Sequence, residues 1–105
     1  MRNKYGAKPT VVDGIRFHSK RESERYSELK LLERAKKIED LQLQPKYPIV
    51  VGDKKICIYI ADFSYWDNDK NCGVVEDVKG AKTALYSIKK KLVEAIYPIE
   101  ITEVR

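Results

Sequence analysis

The first strong periodicity along the chain starts just after Ser19. Tyr26, Leu29, Leu32 and Ala35 recur at threes within a stretch rich in Lys, Arg, Glu and Leu. That spacing predicts a helix over residues 20 to about 37, and Ser19-x-x-Glu22 has the capping-box pattern for its start. A second helical stripe, Leu85, Ile88, Leu92 and Ile96, predicts a helix over about 82–95, stopped by Pro98. Between the two, β-formers dominate. "KKICIYIADFSYWD", residues 54–67, is the strongest strand, interrupted by Asp62. "NDKNCG" is a turn, and "VVEDVKG" is the next strand, giving an antiparallel hairpin. Leu41 and Leu43 alternate before Pro45 and Pro48, and the prolines confine 46–51 to an edge strand ending at Gly52-Asp53.

Near the ends the pattern weakens. Residues 1–12 are polar and basic and read as an extended arm, and Asp13-Gly14 before Ile15 and Phe17 marks a turn or short hairpin. "IEITEV" reads as a last strand. A strand, a helix and a strand of this length suggest a right-handed crossover onto a parallel neighbour. The expected order is α-β-β-β-α-β: an α/β fold with a mixed sheet flanked by helices, in one domain over 1–105.

Composition narrows the function. Hydrophobic residues make up 43% of 105, enough for one modest core. No apolar run approaches the roughly 20 residues needed to span a bilayer, and "MRNKYGAKPT" has no apolar signal region; a cytoplasmic protein without membrane contact is expected. The charge of +5, from 21 basic and 16 acidic residues, favours a polyanionic partner. Cys57 and Cys72 form no CxxC pair, and His18 is the one histidine, which argues against zinc and disulfides. With no P-loop, GxGxxG or GxSxG motif, no small-molecule cofactor is expected.

The chemistry concentrates in "GVVEDVKG", residues 73–80. Asp77 and Lys79 are two apart, so on a strand they share a face, with Glu76 and Val78 on the other. Asp62 lies one hairpin away, in apolar and aromatic surroundings where a lone carboxylate is costly. Two carboxylates that converge repel each other, and a hard divalent cation with oxygen ligands removes the repulsion. The Val78 carbonyl, between the two side chains, is a further candidate ligand. Lys79 could orient or deprotonate an attacking water. This set suits phosphodiester hydrolysis. The competing reading is an Asp-x-Lys pair on an exposed sheet face.

"YIADF" followed by "VVEDVKG" resembles the Asp…(Asp/Glu)-x-Lys signature of the PD-(D/E)XK nucleases. With "NKYGAK", "SKRESERYSEL" and "QPKY" the chain is similar to a small phage and prophage family described as Holliday-junction-resolvase-like endonucleases. The resemblance implies a restriction-endonuclease-like α-β-β-β-α-β core and catalytic residues Glu22, Asp62, Asp77 and Lys79. It implies Mg²⁺, with Mn²⁺ as a substitute, held by Asp62, Asp77, Val78 and Glu22. It also implies a bacterial host cell as the setting.

Glu22 has two roles open to it, because it is also the capping partner of Ser19. At about 100° per residue it projects within roughly 20° of Leu29, at the edge of the apolar stripe; Glu28 falls on the same stripe. His18 is expected as a surface side chain or a weak phosphate contact, and Glu76 as a bystander or a substitute for Asp77. Arg2, Lys4, Lys8, Lys20, Arg21, Lys89 and Lys90 are the candidate DNA contacts, within a wider basic set that includes Arg16 and Arg25. Few aromatics interleave with them, so recognition of DNA shape is expected over sequence readout. The leading expectation is a four-way-junction endonuclease acting as a homodimer, with Tyr65 and Trp66 as either interface or core. The alternatives are a nuclease for nicked, flapped or packaged DNA, and a non-catalytic DNA-binding module of the same fold.

Overall fold

The chain starts its regular structure with a hairpin. In the computed structural model, which describes residues 10–78 and 83–105, β1 (Thr10–Val12) pairs antiparallel with β2 (Ile15–Phe17). Asp13 and Gly14 between them both have positive φ, 53° and 74°, the backbone that a tight two-residue hairpin turn requires. Residues 10–12, expected within the arm, are therefore a strand.

Helix α1 (Lys20–Arg34) starts where the capping pattern places it, and Ser19 Oγ accepts from the Glu22 N–H at 3.1 Å. It stops three residues short of the expected end. Lys36 turns left-handed (φ 62°), and the Lys36 and Lys37 N–H groups donate back to the Glu33 and Leu32 carbonyls. That is a Schellman closure, which satisfies the last carbonyls without a glycine.

The rest of the β structure is β3 (Ile38–Leu43), β4 (Lys46–Val51), β5 (Lys54–Ile60), β6 (Phe63–Asp67), β7 (Cys72–Val78) and β8 (Ile101–Val104), with α2 (Ala84–Ile96) between β7 and β8. β3, β6, β7 and β8 form a mixed sheet in that order; β7 and β8 are parallel, as the crossover pattern suggested. β4 and β5 form a separate antiparallel ribbon. Strand β3 was not anticipated as an element, and the long strand expected over 54–67 is two strands. Both differences have one cause. At Ala61 and Asp62 the backbone changes partner: the Ala61 N–H donates to the Pro45 carbonyl, and the Asp62 N–H to the Glu76 carbonyl. Across from it, Gln44 takes a left-handed φ of 53° and donates its N–H to the Asp62 carbonyl. One long antiparallel pair thus bends at Gln44 and Asp62. Beyond the bend the ribbon leaves β7 behind.

The sheet divides the core in two. On one side Phe63 and Ile38 pack with Phe17, Tyr26 and Leu29 of β2 and α1. On the other, Val75 and Ile101 join Ile49, Tyr59 and Ala61 of the ribbon region and Tyr86 and Val93 of α2. Of the expected apolar stripe on α2 only Leu92 packs against the core. Tyr86 and Val93 are buried, whereas Leu85, Ile88 and Ile96 are exposed.

Candidate active site

The acids meet where the sheet splits. Asp62 sits in the bend between β5 and β6, and its Oδ2 accepts from the Val78 N–H at 2.7 Å. That bond ties the bend to the end of β7 and fixes the carboxylate. α1 brings Glu22 alongside, because the cap at Ser19 sets the phase of its first turn. Glu22 is 6% exposed. Its Oε1 accepts from the His18 N–H at 3.0 Å, so the capping box is half formed: Ser19 bonds Glu22, while Glu22 bonds the residue before the cap. The His18 ring is exposed and 4.0 Å from the same oxygen, a surface group as expected. Glu28, the competing stripe position, is also exposed.

Burial and a hydrogen bond to Asp62, with the Asp62 charge behind it, push the Glu22 carboxyl up to about 7; the Asp77 charge adds a smaller upward push. At neutral pH Glu22 is therefore only partly ionised, because burial and the neighbouring Asp62 disfavour its charge. The pair opens into a cavity of about 260 Å³, which Arg16 and Gln44 also line. Arg16 was one basic residue among many in the sequence; only the β1–β2 hairpin brings it here.

Asp77 is 1% exposed. β7 alternation turns it, with Val75, toward α2, where its charge also acts on Tyr86. Asp77 and Glu76 thus take opposite faces of β7, as the sequence alternation has it. Convergence is only partial: Glu22 and Asp62 are in reach of each other, and Asp77 acts on Glu22 through its charge. Lys79 lies outside the described residues. The donors are all carboxylate oxygens, the chemistry that suits a hard divalent cation, and such an ion would offset the repulsion between Glu22 and Asp62. Among the described residues, no three His, Cys, Asp or Glu side chains are arranged to hold a metal ion. Val78 meets Asp62 through its N–H, where its carbonyl was the expected ligand.

Glu76 is no bystander. It points to α1, 1% exposed, and its two oxygens accept from Arg25 Nε at 2.8 Å and Nη2 at 2.7 Å. The Tyr65 hydroxyl donates to the same carboxylate. Tyr65 is thus half-buried in this cluster, and Trp66 is 39% exposed. A bidentate pair at this depth clamps α1 to β7, one residue from Asp77 and one helical turn from Glu22.

The basic residues divide. Arg2, Lys4 and Lys8 lie outside the described residues. Lys20 is exposed. Arg21 is engaged on the protein, donating to the Arg105 carbonyl at 3.0 Å and reaching Glu28 at 3.5 Å. Lys90 turns toward the sheet and lies 3.4 Å from Glu103, which also accepts from the Tyr86 hydroxyl. Both pair with acidic groups or carbonyls of the chain itself and remain partly exposed; Lys89 lines an open groove beside Leu85. Cys57 is half-buried and Cys72 exposed, both free thiols. Among the described residues no helix is long and apolar enough to cross a membrane.

One family model, described as a protein of unknown function, matches residues 2–104. No curated protein and no solved structure matches the chain.

Proposed function

The chain belongs to the DUF1064 family, and we propose that it is a divalent-cation-dependent DNA endonuclease that cuts branched DNA, with the four-way junction as its substrate. The observation that carries this reading is the Glu22–Asp62 pair, cavity-lining, at the split of the sheet next to Asp77. A buried Glu22 pushed up to about 7 beside a half-buried Asp62 is a poor structural element and a good cation site.

In this reading Asp62 and Glu22 would hold Mg²⁺ or Mn²⁺, with Asp77 and the Val78 carbonyl as further ligands, and the ion would supply Lewis acidity to the scissile phosphate and lower the pKa of a water. The chain's own residues do the rest. The Val78 N–H holds the Asp62 carboxylate in one orientation. Glu22, pushed up to about 7, stands beside Asp62 as a second carboxyl oxygen donor. Arg16 offers a guanidinium to a phosphate entering the cavity. The resemblance assigns Lys79 the positioning of the attacking water. Lys20, Lys89 and the basic N-terminal residues would follow the DNA backbone. Two symmetric cuts in a junction require two sites, hence a homodimer, at work in the cytoplasm of a bacterium on phage or prophage DNA.

The test is incubation of a labelled four-way junction with Mg²⁺ or Mn²⁺, beside duplex, flap and single-stranded controls, with Asp77→Asn in parallel. Paired nicks in the junction, absent with the variant, are expected. Equal cutting of every substrate would sink the junction preference. Binding without cutting under either metal would sink the enzyme and leave a DNA-binding module.

A further inference from the structure

Most of the apolar stripe of α2 faces outward, with Leu92 alone of its four residues packed against the core. Leu85, Ile88, Leu92 and Ile96 follow one another at helical spacing; Leu85 is 62% exposed and Ile88 57%, while Ile96 is 42% exposed and Leu92 half-buried. The helix spends its other side on the sheet through Tyr86 and Val93, and Lys90 is held by Glu103. An open groove of about 290 Å³ continues the stripe from Leu85 to Ile58 and Ile60, the last 51% exposed.

We infer that this stripe is the interface between two copies of the chain, packed α2 against α2 antiparallel about a twofold axis. Three observations select a second copy as the occupant. The first is area. Leu85, Ile88, Ile96 and Ile60 each leave roughly 100 Å² of aliphatic surface exposed, about 400 Å² together. A standard interface takes about 800 Å² per partner, a little over half of it apolar, or about 450 Å². The stripe supplies nearly all of that. The second is self-complementarity. An isologous contact requires an element to fit its own reversed copy. Reversing α2 about its midpoint, Lys90, sets Leu85 against the partner's Ala95 and Ile88 against the partner's Leu92. The third is the rim. Lys89 and Lys91 flank the stripe without interrupting it, so their stems can cover apolar surface while their charges stay in water. A lipid surface or an amphipathic peptide would use the apolar stripe but has no need of its reversed fit.

This inference deepens the proposed function, since it names the surface that would pair two sites, but its test needs neither DNA nor metal. The mass of the full chain is measured by sedimentation equilibrium from low micromolar to several hundred micromolar. The wild type is expected at twice the 12.2 kDa chain mass. Ile88→Glu is expected as a folded monomer whose melting midpoint no longer depends on protein concentration, as that of the dimer does. Val51→Glu, on an exposed residue at the far end of the ribbon, is expected to stay dimeric. A wild type that is monomeric throughout, or an Ile88→Glu protein as dimeric as wild type, would overturn the inference. A dimer that cuts no DNA would leave the interface standing and remove the nuclease; a monomer that cuts DNA would do the reverse.

Discussion

Replacing Arg25 with Met leaves a nearly fully buried carboxylate without its counter-charge. Glu76 is 1% exposed and receives two guanidinium hydrogen bonds and one from Tyr65. Removing one partner of a buried ion pair costs about 3–5 kcal/mol. Arg25 keeps some exposure and Tyr65 still donates, so the lower end, about 3 kcal/mol, is expected. Urea unfolding at pH 7 should show it as a midpoint lowered by roughly 2 M. Arg25→Met with Glu76→Leu removes both charges and should cost clearly less than the sum of the two single changes. A single-variant loss below about 1 kcal/mol, or simple additivity in the double variant, would refute the claim that a buried pair clamps α1 to β7.

Three further outcomes follow from the same geometry. Glu22, pushed up to about 7 by burial and Asp62, favours the folded state when protonated; metal-free stability should fall as pH rises from about 4.5 to beyond 7, by on the order of 2 kcal/mol, and Glu22→Gln should flatten that slope in a thermal-melt series. Millimolar Mg²⁺ should raise the melting midpoint more at pH 8 than at pH 5, because ligand carboxylates must be deprotonated. Ser19→Ala removes the cap on α1 and should cost about 1 kcal/mol in urea titrations.

The elements that the sequence announced most clearly are those whose signal is local. The Ser19 cap, the Asp13-Gly14 turn, the stop at Pro98 and the parallel last strand depend on neighbours a few residues apart, or on a helix of standard crossover length. The bend at Asp62 was legible only as an acid out of place in a β-forming run. Its cause is a change of hydrogen-bond partner from Pro45 to Glu76, set by contacts distant in sequence. Periodicity put Glu22 at the edge of the stripe, and burial carries it inside. Glu76 was misjudged because alternation tells which face a residue occupies and not what waits there; Arg25, fifty-one residues away in the chain, was hidden among other helix charges. The α2 stripe was misjudged for a related reason. Apolar spacing marks a surface that seeks a partner, and here the sheet of the same chain is not that partner.

The account turns on whether Glu22, Asp62 and Asp77 act as one cation site. Mn²⁺ binding followed by electron paramagnetic resonance at pH 8, on the wild type and on Asp62→Asn and Asp77→Asn, measures this directly. The account predicts saturable binding at millimolar ion that weakens at least tenfold in either variant. Absence of binding in the wild type, or equal binding in all three proteins, would contradict it.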